Sequence, residues 1–450
     1  MSSCDIEMIP KGKTTLSTTK ELEYLLNTFQ VSTDPAIDMG VIVNECYFES
    51  EFVTVDQLIA NTNSLQSAYI SYNESVDREA LSARDYRYNS IYSDVNTMNV
   101  IIGKADESDG SEALKAQIKG EAHLKRAYLH LLAANIYAAQ YDEATAAQKG
   151  GIAYVTDYTM ENKEQLPLDQ VYALMLQDVD DSYIEALPDK AASTVRCSKA
   201  TGYAIKARVL FQMKRYAEAL PYAEMAVKLH PQMEDRSSVV ETQQWAPLST
   251  EENNLLYISP ISTAFSCPFW ECLSIETVNL FEHGDYVLDY AIEYGMPLWS
   301  DFYGLLYAAP GARIFAGMDA EITPYGITTE RMKYLLAECY IRTGKISEGM
   351  KQINEVRKMR IHPDYYQDFT ASSEEEAMQL LQRAKFIECI ATCENFFDRK
   401  RWNTEDKYRK TIVRDIPGIG TYSISPESPL WILPIPAPVM NVNPSFKQNF

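Results

Sequence analysis

The stretch from Glu112 to Tyr141, EALKAQIKGEAHLKRAYLHLLAANIYAAQY, leaves the chain few folds to choose from. Leu114, Ile118, Ala122, Leu129, Leu132 and Ile136 recur at helical spacing, so one face of a helix of about seven turns is apolar. Leu124, Tyr128 and Leu131 widen that face. Alanines at 116, 122, 127, 133, 134 and 138 let neighbouring helices approach closely. Glu121, Lys125 and Arg126 are expected on the polar side of the first half. The second half, Leu129 to Ala139, is apolar nearly all round and demands burial on several sides. It is too short to cross a bilayer.

The rest of the chain offers partners. Thr14 to Val31 reads as a short helix behind capping hydroxyls, with Leu22, Leu25, Leu26 and Phe29 as its stripe. Asp56 to Leu65 patterns weakly as helix, while Tyr47, Phe48, Phe52, Tyr69 and Tyr72 fall in expected loops. Arg84 to Lys104 is a strong helix, and the polar break Asp106 to Ser111 folds it back on the long one as a hairpin. Leu168 to Leu187, Ser198 to Met213 and Tyr216 to Leu229 follow. The stretch GYAIKARVLFQMKRYAEALPYAEMAVKLHP resembles a tetratricopeptide repeat, with Gly202, Ala207, Ala219 and Ala226 at the close crossing. Thr329 to Thr343 and Ile346 to Met359 repeat that pattern around Gly344, and Glu374 to Phe397 reads as one long helix. Eight helices from Arg84 onward group as four hairpins, which makes the fold class mostly α, a tetratricopeptide-like solenoid.

His230 to Thr328 interrupts the helices with about a hundred residues lacking helical period. It is rich in Trp, Tyr, Phe, Pro and Gly, and an insertion of that length is usually functional. The expected organisation is a single domain over 1–450. It comprises a scaffold at 84–229 and 329–400, an irregular ligand-binding lobe at 230–328 with contributions from 40–83, and an extended, proline-rich tail at 426–450. In that tail Trp431, Ile432, Leu433 and Ile435 are expected to be pinned to the body.

Composition removes several functions. A net charge of −22 makes the chain a poor partner for nucleic acid, whose binding depends on Lys and Arg neutralising phosphates. No apolar run is long enough for a transmembrane helix. Eight cysteines without a Cys-x-x-Cys pair, and five scattered histidines, argue against a structural metal. Cys389 and Cys393, one turn apart on an expected helix, read as buried thiols; Cys267 and Cys272 could close a small loop. His123 and His130 read as packing residues. No nucleophile elbow or phosphate loop occurs, and Pro417-Gly418-Ile419-Gly420 reads as a turn. No cofactor and no catalysis are expected.

Four stretches resemble the SusD/RagB family of outer-membrane lipoproteins found in Bacteroides-type bacteria. They are Ser3-Cys4-Asp5 followed by Pro10, and Glu121-Ala122-His123-Leu124-Lys125-Arg126-Ala127-Tyr128. The late repeat contributes Tyr334 to Glu338 with Asn354 to Arg357. The C-terminal signature is Phe397-Asp398-Arg399-Lys400-Arg401-Trp402, then Leu433-Pro434-Ile435-Pro436 and Asn443 to Asn449. Ala384 to Glu388 and Cys393-Glu394-Asn395 depart from the family's pattern. The resemblance implies a surface protein, anchored in the outer membrane by acylated Cys4 in an N-terminal segment, residues 4–20. It would capture a nutrient, usually an oligosaccharide, over a SusC-like TonB-dependent transporter. A RagB-like peptide-binding subunit and an intracellular tetratricopeptide scaffold are the alternatives.

A sugar needs flat aromatic faces together with planar amides or guanidinia. Trp270, Trp299 and Tyr303 in the lobe, with Tyr72, Asn73 and Arg78 before the first hairpin, match by type. They also lie in the regions where the resembled family places its ligand. The cluster Asp398 to Trp402 reads instead as a helix-end group paired with repeat carboxylates.

Overall fold

The computed structural model describes residues 16–32, 36–47, 55–159, 161–242, 252–261, 272–294, 312–314, 323–416 and 418–450. At its centre is the helix Glu112–Tyr137, capped by Ser111, whose hydroxyl accepts the Leu114 amide at 3.3 Å. It pairs with Tyr86–Ala105 as the expected hairpin. A second hairpin, Lys199–Gln212 with Tyr216–Leu229, turns at Lys214. A third, Thr329–Arg342 with Ile346–Arg357, turns at Gly344, whose φ of +81° suits a residue without a Cβ. Tyr216–Leu229 packs on Thr329–Arg342, so these two hairpins stack as solenoid repeats.

The three residues expected on the polar side of the long helix's first half are not at the surface. Glu121, Lys125 and Arg126 are buried. Lys125 pairs with Glu121 at 2.9 Å, and Arg196 closes on the same carboxylate. Lys125 also donates to the Leu26 and Val195 carbonyls at 2.9 and 2.8 Å. Arg126 and His123 share Asp178. A buried charge survives when it is paired and hydrogen-bonded, which is what these long-range partners supply.

Two expected helices break. Leu168–Asp178 stops and Asp181–Glu185 starts again, with Asp180 capping the second piece through the Ser182 amide at 2.9 Å. Glu374–Glu388 and Glu394–Trp402 are separate helices, so Cys389 and Cys393 flank a break and do not share one helix. Both thiols are buried and outside any disulfide. At the break Ala391 has φ +61°. Glu45, from a distant segment, accepts the Ala391 amide at 2.6 Å and the Asn395 amide group at 2.8 Å, replacing the bond a continuous helix would make. Burial pushes the Glu45 carboxyl up to about 7.

The first helix is shorter than expected. It covers Thr19–Leu25 with a Thr18/Glu21 capping box, and Gln30–Ser32 is a strand parallel to Ser259–Ile261. Residues 55–71 form two helices, Val55–Ala60 and Leu65–Ser71, so Tyr69 is helical and buried, not in a loop. The described part of the lobe holds a four-stranded antiparallel sheet ordered Cys46–Tyr47, Cys272–Leu273, Ala312–Ile314, Ile292–Tyr294. Leu255, Leu256, Ile258, Tyr325 and Ile327 join the main helical core. Leu273, Phe281, Tyr286 and Val287 pack with Ile390 at the helix break.

Past the helices, Ile412–Ile416 and Gly420–Ile424 form a hairpin around the expected turn. In the tail Trp431, Leu433 and Ile435 are buried and Ile432 half-buried. Among the described residues no helix is long and apolar enough to cross a membrane.

Candidate ligand-binding site

Of the residues expected to touch ligand, Trp270, Trp299 and Tyr303 lie outside the described residues, as do Cys4 and Cys267. The other three are held by the scaffold. Tyr72 ends the helix Leu65–Ser71 at φ +51°, and its hydroxyl donates to the Ile42 carbonyl at 3.2 Å. Its ring lies 4.4 Å from the Arg414 guanidinium, and burial pushes the phenol up to about 12. Arg414 is itself fully buried, donating to Asn44, Tyr69, Ile70 and Val41. Asn73 turns its side-chain oxygen to the Ser75 amide at 3.0 Å, closing a local turn. Arg78 is 3% exposed and donates to the Ile432 and Pro429 carbonyls at 2.7 and 3.0 Å. The structure therefore does not gather these three into one solvent-facing set.

The helix Glu394–Trp402 binds the molecule together, as its charge pattern suggested. Arg401 grips the Glu338 carboxylate of the third hairpin with two bonds, 2.6 and 2.8 Å, and meets Asp398 at 2.9 Å. Trp402 donates its indole N–H to Glu338 at 3.0 Å. Lys385 pairs with Asp398 at 2.6 Å. Lys400 reaches the end of the central helix and donates to the Asn135 and Ala138 carbonyls at 2.7 and 2.5 Å, satisfying groups a helix terminus leaves open. Its ammonium, desolvated there, is pulled down to about 7.

Between this helix and the lobe lies a cleft of about 460 Å³. One wall is the lobe turn after Ser274, with Glu276, Thr277 and Leu280; the other is Glu374–Glu388, presenting Gln379, Gln382, Arg383 and Phe386. Arg399 and Trp402 form the floor, and Asn44 with residues 410–413 closes the end. Arg383 ties the walls together by donating to the Leu280 and Phe281 carbonyls at 2.8 and 3.2 Å. Amides, one carboxylate, guanidinia and aromatic edges converge here, the set that orients a hydroxylated ligand. A larger groove of about 790 Å³ runs along Ile346–Arg357 and the loop 366–372, and none of the described lobe residues lines it.

Sequence reasoning did not find the lobe-facing cleft. Its lining comes from five separate stretches, and no single stretch carries a motif. Among the described residues no His, Cys, Asp and Glu group is placed to hold a metal.

The architecture is a tetratricopeptide-like helical scaffold bearing a loop-rich lobe. The chain belongs to the SusD/RagB family. The family model described as starch-binding, associating with outer membrane, matches residues 9–211, and that of the SusD family matches residues 332–450. Three solved structures illustrate the shared fold. A SusD-like carbohydrate binding protein from Bacteroides vulgatus superposes with a TM-score of 0.73 at 14% identity, over 96% of this chain and 98% of its own. A SusD superfamily protein from Bacteroides thetaiotaomicron gives 0.71 at 15% identity, over 96% and 100%. Surface glycan-binding protein A from Bacteroides uniformis gives 0.63 at 15% identity, over 96% and 99%. No curated protein matches the chain.

Proposed function

We propose that this chain is a cell-surface lipoprotein that captures oligosaccharides for import through a SusC-like TonB-dependent transporter of the outer membrane. The observation that carries the reading is family membership at both ends of the chain. The names of two similar structures, a carbohydrate binding protein and a surface glycan-binding protein, support glycan as the ligand. The protein binds and does not cleave. Cys4 carries the acyl anchor, and the lobe faces the ligand with Trp270, Trp299 and Tyr303. Trp270 precedes the strand Cys272–Leu273 by two residues, and Trp299 follows Ile292–Tyr294 by five. Those two strands belong to the same sheet.

Calorimetry with a neutral and acidic glycan panel tests the reading. W270A and W299A should each weaken binding by about ten- to a hundredfold, the effect of roughly 1–3 kcal/mol at a stacking hot spot. Melting should stay at the wild-type temperature, because an exposed ring contributes little to folding. In cells, C4A should leave the membrane fraction. Early melting of both tryptophan variants would mark them as core residues, which cost about 3–5 kcal/mol on truncation. Binding of peptides with no glycan bound would move the protein to the RagB-like alternative.

A further inference from the structure

We infer that the cleft between the lobe and the C-terminal helices selects a carboxylate-bearing sugar, a uronic or sialic acid, over a neutral one. The inference rests on the glycan-binding reading above and adds the charge of the ligand.

Among the described residues, three of the four cations that line the cleft have no anion to match them. Among the described residues Arg399 donates to the Tyr408 carbonyl, at 3.3 Å, and Arg383 to the two lobe carbonyls, and neither donates elsewhere. Lys410 lies at the rim, with part of its side chain open to solvent and part shielded beside Arg399. Among the described residues none of the three has a carboxylate within ion-pair distance. This is not the habit of the neighbourhood. In the same cleft Lys385 holds Asp398 at 2.6 Å, and behind it Arg401 holds Glu338 at 2.6 Å. Nor is it a by-product of composition, since the chain carries 63 acidic residues against 41 basic ones. Burial pulls the Arg399 guanidinium down to about 10, and burial with Arg399 nearby pulls Lys410 down to about 8. Held together and partly desolvated, these groups are left short of an acceptor.

Glu276 makes the complementary demand. One of its oxygens accepts the Asp415 amide at 3.3 Å; the other is buried in the cleft wall with no donor among the described residues. A ligand that answers both must bring an anionic acceptor for the cations and a hydroxyl donor for Glu276. A sugar acid has both on one ring. Sulfate or phosphate offers acceptors alone and would be repelled by Glu276. A peptide C-terminus could offer its carboxylate to the cations and a backbone N–H to Glu276, but Gln379, Gln382 and the edge of Phe386 suit vicinal hydroxyls and a C–H face better. The volume, about 460 Å³, falls within the ~300–1,000 Å³ of small-molecule sites.

The test is calorimetry on the full chain with three matched pairs. These are trigalacturonate and its methyl ester, a hyaluronan hexasaccharide and its methyl ester, and 3′-sialyllactose and lactose. At least one acid should bind tenfold or more tightly than its neutral partner. K410E, with an unchanged melting temperature, should erase that preference. R399M should do the same, and because Arg399 is buried its melting curve is measured alongside. The inference is overturned if every acid binds no better than its partner, or if the preference survives K410E. Acidic and neutral partners binding the wild type equally well would end the charge selection and leave glycan capture standing. Binding of an acidic peptide with no glycan bound would end both.

Discussion

His130 has both ring nitrogens committed. Nδ1–H donates to the Arg126 carbonyl at 2.9 Å, and Nε2 accepts the Val155 amide at 3.0 Å. The ring stacks on Tyr154 at 3.8 Å between centroids. A second proton would set two N–H groups against each other, and burial pulls the imidazole down to about 3. The unfolded chain titrates near 6.5, so between 6.5 and 3 it binds a proton that the native state refuses, and stability falls as pH falls. The slope from this residue is about 1.4 kcal/mol per pH unit at most. H130Q, which can still donate and accept but does not titrate, should be less stable than wild type at pH 7.5, and the gap should narrow by pH 5. Urea unfolding at both values measures it; a constant gap means His130 is not held neutral. From sequence His123 and His130 were legible as packing residues. The burial of Glu121, Lys125 and Arg126 was not, because their partners Arg196 and Asp178 lie more than fifty residues away in sequence.

Elements were legible where the determinants are local. The second and third hairpins follow from apolar periodicity and from Lys214 and Gly344 at the turns, with nothing distant required. The break at 389–393 depends on Glu45, about 350 residues earlier, which no window on the late helix contains. The same helix pair carries the strongest test of cohesion between elements. Arg401 and Glu338 are both fully buried and joined by two bonds. Replacing one partner leaves the other as an uncompensated charge, and such losses run to about 3–5 kcal/mol. E338A should therefore destabilise by that amount in urea, with the indole N–H of Trp402 also unpaired. A double-mutant cycle with R401A should return a coupling above 1 kcal/mol. A near-zero coupling would assign the loss to packing alone.

On the scale of the whole molecule, the tail closes the fold. Leu433 N–H meets the Ile136 carbonyl at 3.0 Å, and Asn449 donates to the Tyr137 and Gly151 carbonyls at 2.8 Å. Arg78 locks this arrangement, bonding Pro429 and Ile432 while its guanidinium covers the Phe450 ring at 3.8 Å. By type and position Arg78 read as a ligand residue, and its contacts cross some 350 residues, a distance at which sequence patterns are silent. The two roles predict different behaviour for R78A. As a clamp, Arg78 contributes two charge-assisted bonds, each of about 1.5–3 kcal/mol when a buried acceptor is left unpaired. Its loss should free the tail before the body unfolds. Trypsin should then cut after Lys447, whose amide is now held by Gln165 at 2.8 Å, faster than in wild type, with intact mass as the readout. Glycan affinity should not change. If instead the tail stays protected and glycan affinity falls tenfold, Arg78 touches the ligand and its clamp is secondary.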